Sequence, residues 1–469
     1  MHKITVDNQI LFARDGETLS SVLMRYGLAF SHPCGGRGVC KKCILLVDGK
    51  EQLSCRYVVN SDITLTLPLA QKTVKNDGEN AKTTGDVCFA FDLGTTTLAL
   101  AVVQKSDGKI AKVISRQNPQ SLYGADVMTR IAYGAKSQEN ATALHKIIIS
   151  AISEMINESG VTANELFVSG NTTMLHFLFG IDCSSIGVYP YTPTFLRSKT
   201  VSANELGVIG VKTVTSLDNI SSFVGADLTA GALLLPPPND GAKYNILVDL
   251  GTNAEILLYN ENTLVCTAAA AGPCFEGANI SCGTSYTEGA IHAFSIDEKG
   301  NKIVKTVGDV PRGLCGTGLV DVIASLVKAE IIDETGYMEN DYEIAEGVTL
   351  TGEDVRQFQL AKSAISSAIV SLMESANVPP SQVESLFVSG GFATAINVEN
   401  ALFVGLLPKC FKGKIYAVGN SCLLGTVKFA TANQPVPDFI KKGKYLDLSQ
   451  NATFTRLFME NMYFGEEND

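Results

Sequence analysis

Apolar residues spaced three and four apart mark two long helices in this chain, and each helix leads into the same five letters. In "ALHKIIISAISEMINESGVTANE" the apolar face is Leu144, Ile147, Ile148, Ala151, Ile152 and Met155. In "LAKSAISSAIVSLMESANVPPSQVES" it is Ala361, Ala364, Ile365, Ala368, Ile369 and Leu372. A short polar link follows each helix, then a buried strand that stops at Ser-Gly: "LFVSG" at Leu166–Gly170 and again at Leu386–Gly390. A second pair of segments matches in the same way. "CFAFDLGTTTLALAVVQKSDGKIAKVI" from Cys88 and "NILVDLGTNAEILLYNENTLVCTAA" from Asn245 each read as strand, Asp-Leu-Gly-Thr, strand, polar turn, strand. The order hairpin, helix, LFVSG occurs in both copies. The chain therefore reads as two copies of one α/β domain facing each other.

The strand–Asp-Leu-Gly-Thr–strand turn carries chemistry. Its glycine lets the backbone approach a bulky anion, and the turn offers N–H groups and Thr hydroxyls to it. An Asp at the strand end is placed to hold Mg²⁺ through water. One such turn alone is a plain hairpin. Two in matched contexts point to loops that clamp a nucleotide's phosphates from both sides, with Asp92, Gly94, Thr95 and Thr96 in the first and Asp249, Gly251, Thr252 and Asn253 in the second.

The first 70 residues follow another pattern. "KITVDNQILFA" predicts a hairpin, and "DGETLSSVLMRYGL" a helix that starts at Thr18 or Asp15. The glycine-rich "HPCGGRGVCKKCILLVDG" comes next, then a lone cysteine in "QLSCRY". The spacing is Cys34-x5-Cys40-x2-Cys43-x11-Cys55. Three thiols in a glycine-rich loop plus a distant fourth suit a 2Fe–2S cluster, since the loop must turn N–H groups toward the sulfurs. Structural zinc is the alternative, but it usually takes two C-x2-C pairs and only one is present. Arg37, Lys41, Lys42 and Arg56 surround the motif, either as a solvated rim or as a dock for an acidic partner. Residues 71–87 contain "QKTVKNDGENAKTTGD" and read as a flexible linker, whose roughly 20–25 Å root-mean-square reach would let the small module swing.

Composition narrows the classes. A chain of 469 residues, 45% hydrophobic and 18% charged, buries well and exceeds one ordinary core. Its net charge of −11 argues against nucleic acid or an anionic membrane as the main partner. No apolar run nears membrane-spanning length and no hydrophobic signal follows Met1, so a cytoplasmic location is expected. There, the 12 cysteines are expected as thiols or metal ligands rather than disulfides. Cys274, Cys282 and Cys315 in tight glycine loops, and His176 and His292, read as packing residues.

Residues 88–469 resemble the actin, sugar-kinase and heat-shock ATPase (ASKHA) superfamily, with its actin-like, ribonuclease H-like halves. "FDLGTTTLA" resembles its first phosphate loop and "VDLGTNAEI" its second. "LFVSGGFATAI" resembles its adenosine loop, which implies a nucleoside lying against Gly390, Gly391 and Phe392. "GLCGTGLVDVIASLV" resembles the segment connecting the halves. The resemblance implies ATP and Mg²⁺ between the halves and catalytic roles for Asp92 and Asp249. It also gives Asp227, 22 residues before Asp249, a water-positioning role; the alternative is that Asp227 only caps a helix. The implied organisation is a ferredoxin-like (β-grasp) 2Fe–2S domain at 1–70, a linker at 71–87, and ATPase halves at 88–225 and 226–469. The last helices, about 420–469, are expected to pack back on the first half.

A ferredoxin fused to such an ATPase resembles the reductive activators of corrinoid proteins. "YGADVMTRI" (Tyr123–Ile131), "SGNTTMLHFLFG" (Ser169–Gly180), "GPCFEGANISCG" (Gly272–Gly283) and "GLCGTGLVD" carry that resemblance. It implies ATP-dependent return of one electron from the 2Fe–2S cluster to inactive Co(II) cobalamin, regenerating Co(I) for methyl transfer. A corrinoid protein and an upstream low-potential donor are the implied partners. A one-electron gap of about 120 mV costs roughly 2.8 kcal/mol, within reach of a nucleotide cycle that favours a more easily reduced Co(II) complex. Larger family members carry a small middle domain that this chain is expected to lack, so a homodimer stays open. Two further readings stand beside it: a small-molecule kinase with an accessory redox domain, and a ferredoxin-type carrier without ATP coupling.

Overall fold

The computed structural model describes residues 2–6, 9–25, 38, 43–66, 86–235, 237–238, 240–391, 395–432 and 435–465. The chain forms two compact units, Met1–Phe195 with Lys199–Thr215, and Leu196–Ser198 with Ser216–Asp469.

The first unit opens with a mixed five-stranded sheet. Strands β1 (His2–Val6) and β2 (Gln9–Ala13) form the expected hairpin, helix α1 spans Leu19–Arg25, and β3 (Ile44–Val47), β4 (Lys50–Leu53) and β5 (Ile63–Thr66) complete it in the order β2-β1-β5-β3-β4. Thr18 caps α1, its hydroxyl accepting from the Ser21 N–H at 3.3 Å. Ile4, Leu11, Leu19, Leu23, Leu45 and Leu65 alternate inward to make a separate small core. The linker predicted for 71–87 falls almost wholly outside the described residues.

The rest of this unit is a six-stranded sheet, built from β6 (Val87–Leu93), β7 (Thr97–Gln104), β8 (Ile110–Gln117), β9 (Glu165–Gly170), β10 (Thr200–Ser202) and β11 (Thr213–Ser216), in the order β10-β11-β9-β6-β7-β8. Between β8 and β9 lie α2 (Val127–Gly134) and α3 (Gln138–Ser159), and α4 (Thr172–Leu178) follows β9. Helix α3 buries Leu144, Ile148, Ala151, Ile152 and Met155 of the predicted face, leaves Ile147 half-buried, and ends at Gly160 with φ +69°. A short helix, α5 (Ala203–Leu206), joins β10 to β11.

The second unit repeats the plan. After α6 (Ala226–Leu234), strands β12 (Tyr244–Leu250), β13 (Ala254–Tyr259) and β14 (Leu264–Ala269) form the triple hairpin. A small sheet of β15 (Ala290–Ile296), β16 (Lys302–Thr306) and β17 (Gly313–Leu314) leads into α7 (Gly316–Lys328). The hairpin β18 (Tyr342–Ala345) and β19 (Val348–Leu350) precedes α8 (Gly352–Ser375) and β20 (Val383–Ser389). Then come α9 (Val398–Phe403), β21 (Ile415–Gly419), α10 (Ser421–Ala432), α11 (Asp438–Lys441), β22 (Lys444–Tyr445) and α12 (Ala452–Glu460). The main sheet has the order β21-β20-β12-β13-β14-β22.

The duplication extends to register. Each LFVSG strand lies parallel to its Asp-Leu-Gly-Thr strand, pairing Asp92 with Ser169 and Asp249 with Ser389. Central strands with both faces covered read as apolar runs. In β6 and β12 every residue from the second position onward is buried except the aspartate. The repeated Ser-Gly also has a packing reason: a Cβ at Gly170 would come within 2.6 Å of the Leu93 carbonyl oxygen, and one at Gly390 within 2.2 Å of that of Leu250.

The last helices, expected against residues 88–225, pack on α6 and α8, and the segment after α10 also meets that stretch: the Phe223 and Tyr445 rings lie 6.1 Å apart and Arg197 donates to the Lys441 carbonyl at 3.2 Å. Helix α10 crosses α6 so closely that a Cβ at Gly425 would come within 1.9 Å of the Ala230 carbonyl oxygen. Helix α12 packs on α8. There the buried Lys362 donates to the Asn461 and Tyr463 carbonyls at 2.6 and 2.7 Å, and Gln359 to that of Met462 at 2.7 Å. These side chains satisfy carbonyls that the end of α12 leaves unpaired. Among the described residues no helix is long and apolar enough to cross a membrane.

Candidate functional site

The β3–β4 hairpin explains the long step between the last two predicted cluster ligands. Ile44 pairs with Leu53, so Cys43 and Cys55 sit at the two open ends of the same ladder, with the Ser54 N–H donating to the Cys43 carbonyl at 2.9 Å. Their Sγ atoms stand 3.2 Å apart, and both residues are buried. Two thiolates on one tetrahedral metal at about 2.3 Å would stand about 3.8 Å apart, so this pair needs to open only slightly to ligate a single iron. The donor chemistry fits a cluster. Cys34 and Cys40 lie outside the described residues, as do Arg37, Lys41 and Lys42. Arg56 lies across Gly38, where a Cβ would meet its Nε at 2.6 Å and φ is +76°.

The first phosphate-type loop, after β6, is braced by residues from two of the conspicuous motifs. Asn171, in "SGNTTMLHFLFG", donates to Thr95 Oγ1 at 2.8 Å. Arg130, in "YGADVMTRI", is wholly buried and donates to the carbonyls of Thr95 at 2.7 Å and Gly124 at 2.9 Å. Asn118 holds the Gly94 carbonyl at 2.8 Å. A buried guanidinium spent on backbone carbonyls fixes the turn's shape. Gly94 itself cannot carry a side chain, because a Cβ would come within 2.4 Å of the Thr97 carbonyl oxygen.

His176 keeps the structural role expected of it. Its Nδ1 bonds the Thr172 carbonyl at 2.7 Å and its Nε2 accepts from the Thr194 N–H at 3.1 Å, so the ring is neutral. Burial holds its pKa below the usual histidine value.

The second loop gathers more acid than the sequence reading assigned. Asp249 ends β12, accepts from Ser389 Oγ at 2.9 Å, and pairs across the hairpin with Glu255. Asp227 sits in the first turn of α6, but the cap position belongs to Gly225, and its carboxylate accepts from the Leu228 N–H at 2.8 Å. A carboxylate there is favoured by the helix N-terminus. Asp227 and Asp249 both act on Glu255, whose carboxyl is pushed well above the usual carboxylate range, first by burial and then by those two charges. Thr252 Oγ1 donates to Glu276 at 2.5 Å. Glu255, Glu276, Ser389, Arg130 and Asn171 were not named as site residues from sequence.

These residues fit a magnesium-bound nucleotide in two respects. Asp249, Glu255 and Asp227 are the hard oxygen donors that Mg²⁺ takes. Past Gly390, a Cβ at Gly391 would meet nothing within 4 Å, so the backbone there is open to a flat ligand. Phe392 lies outside the described residues.

The cysteines of the glycine loops are packing groups. Cys274 and Cys315 are buried; burial pushes the Cys274 thiol up to about 12, and Cys315 donates to the Ile291 carbonyl at 3.2 Å. Cys282 is half-buried. Cys274 lines a cavity of about 260 Å³ with Gly272, Gln357, Leu360 and Phe458, all within the second unit. His292 stacks edge-on to Tyr286 at 5.9 Å.

The mixed sheet of the second unit, closing on its Asp-Leu-Gly-Thr hairpin, belongs to a domain of the ASKHA type. Residues 243–469 match the C-terminal domain of RACo, the ASKHA domain, and residues 87–236 match the RACo middle region. The chain belongs to the RACo family of corrinoid-protein activators. The matched middle region also corrects the expectation that this chain lacks the family's middle part. Corrinoid activation enzyme RamQ of Eubacterium limosum is 28% identical over 420 residues, 81% of this chain and 70% of that protein. A [Co(II) methylated amine-specific corrinoid protein] reductase of Methanosarcina barkeri is 23% identical over 425 residues, 81% of this chain and 76% of that one. A solved reductive activator for corrinoid, iron-sulfur protein superposes with a TM-score of 0.72 at 25% identity, covering 99% of this chain and 98% of that one.

Proposed function

We propose that this chain uses ATP to reactivate a corrinoid protein in the cytoplasm, passing one electron to inactive Co(II) cobalamin and returning it to Co(I) for methyl transfer. The observation that carries the reading is likeness along 99% of the chain to a reductive activator, together with the buried Cys43–Cys55 thiol pair in the N-terminal sheet. Cys34, Cys40, Cys43 and Cys55 would hold a 2Fe–2S cluster on a β-grasp ferredoxin module. When bound, that cluster supplies a one-electron relay from an upstream low-potential donor.

The ATPase chemistry falls to the two loops. Gly94, Thr95 and Thr96, and Gly251, Thr252 and Asn253, offer N–H and hydroxyl donors to phosphates, while Asp92 and Asp249 orient the water shell of Mg²⁺. Gly390 and Gly391 leave backbone bare for the nucleoside. Asp227 or Glu255 orders the attacking water. A nucleotide cycle that ran without the partner would dissipate its free energy without selecting the Co(II) state, so the partner is expected to speed hydrolysis. The test is phosphate release measured with and without a Co(II) corrinoid protein. Stimulation in the parent, absent in Asp249→Ala, is expected. Equal rates with and without partner would overturn the coupling. Phosphate appearing on a small molecule instead would turn the reading to a kinase.

A further inference from the structure

We infer that Glu276 sets the metal requirement of the second loop, so that the loop accepts a nucleoside phosphate together with its divalent cation and turns away the bare anion. This rests on the nucleotide reading of that loop and goes beyond it by assigning a selectivity to one residue.

Thr252 has a single O–H to donate, and it is committed to Glu276 at 2.5 Å. A phosphate that takes this hydroxyl must therefore take it from a carboxylate. The backbone on both sides of Glu276 is pinned, so the carboxylate can leave Thr252 only by turning about its own side-chain torsions and stays within reach of the loop. Gly316 lies so close to Phe275 that a Cβ on it would come within 2.3 Å of the Phe275 carbonyl oxygen. Gly277, at φ +79°, lies against the backbone of Thr284, where a Cβ would come within 2.5 Å. Farther along the same loop, the Ser281 N–H donates to Asp354 Oδ1 at 2.6 Å, and its hydroxyl bonds the other oxygen. Asp354 is itself fixed in the capping box that starts α8. Glu276 thus presents a negative charge, on a rigid loop, to the hydroxyl that a phosphate would use. Repulsion between an incoming phosphate and a half-buried carboxylate is poorly screened, and a divalent cation cancels it.

The test is calorimetric titration of the full chain with ADP, once in excess Mg²⁺ and once in EDTA. The parent is expected to bind ADP at least 100-fold tighter with Mg²⁺. Glu276→Gln keeps an acceptor for Thr252 but loses the charge. It should narrow that ratio at least tenfold by gaining affinity for metal-free ADP, with MgADP affinity within threefold of the parent. Glu276→Ala should narrow the ratio as well, which guards against a folding defect peculiar to one variant. Thr252→Val should weaken MgADP binding yet keep the parent's ratio, because the charge remains. The parent's ratio persisting in both Glu276 variants would overturn the inference. A parent that binds no MgADP would instead remove the nucleotide reading, and this inference with it.

Discussion

Two adjacent glycines should respond to the same substitution in opposite ways. At Gly390 the backbone sits at φ +109°, and an alanine Cβ would come within 2.2 Å of the Leu250 carbonyl oxygen and 3.1 Å of Asp249 Oδ1. The strained φ costs about 1–3 kcal/mol. Relieving the overlap means moving the end of β12 away from β20, an overpacking penalty of about 1–3 kcal/mol. The sum is about 4 kcal/mol, which in a unit of this size lowers the melting temperature by roughly 8–16 °C. At Gly391 an added Cβ meets nothing within 4 Å, so Gly391→Ala should leave the second unit's melting temperature within about 1 °C, as surface changes usually do. If the bare backbone at Gly391 serves a nucleoside, that variant should instead lose ATP affinity about tenfold, the cost of one crowded contact. Thermal unfolding followed by circular dichroism, paired with nucleotide titration, separates the two. A Gly390→Ala protein that melts with the parent would refute the packing argument. A Gly391→Ala protein that binds ATP as the parent does would refute the nucleoside role.

Replacing Cys43 or Cys55 with Ala should abolish visible absorbance and bound iron in anaerobically prepared protein; zinc in place of iron in the parent would sink the cluster assignment. Asp249→Ala should remove ATP hydrolysis by at least about 100-fold, as loss of a group acting in the transition state does, while the cluster's spectrum stays intact. A parental rate in that variant would show the loop assignment to be wrong. Glu255 gives a pH signature. Its folded pKa lies above the usual 4.5, so its contribution to stability is fully present below that value and is lost as pH rises toward the folded pKa. Without divalent cations, Glu255→Gln should therefore be more stable than the parent at pH 7 and flatten the decline from pH 4.5 upward. An unchanged slope in urea unfolding would count against the burial of that charge.

Much of this fold was legible because its signals are local. The faces of α3 and α8, the two Asp-Leu-Gly-Thr hairpins and the LFVSG strands are each specified within about twenty residues, and their order declared the duplication. The site was legible only along the chain. Asp249 announced itself by its turn, whereas Glu255 faces it through hairpin register, which a six-residue spacing hints at but does not prove. Glu276 reaches Thr252 from 24 residues away, through a loop whose path depends on Gly277, Gly283 and Gly316 packing backbone on backbone. Arg130 and Asn171 stood inside motifs that had been noticed, yet their work on the Thr95 loop is a matter of tertiary geometry. The seat of α12 depends on tertiary geometry in the same way. Lys362 and Gln359 look like surface positions of an amphipathic helix until the carbonyls of Asn461–Tyr463 arrive to accept their hydrogen bonds.

The central claim is that nucleotide turnover and electron delivery to cobalt are one coupled act. It is tested most directly by following the Co(II)-to-Co(I) spectral change of a corrinoid protein anaerobically, with this chain, a reduced low-potential donor, and ATP either present or absent. Co(I) should accumulate only when ATP is present, and Asp249→Ala should behave as though it were absent. Equal yields of Co(I) with and without ATP would contradict the account and leave a simple electron carrier.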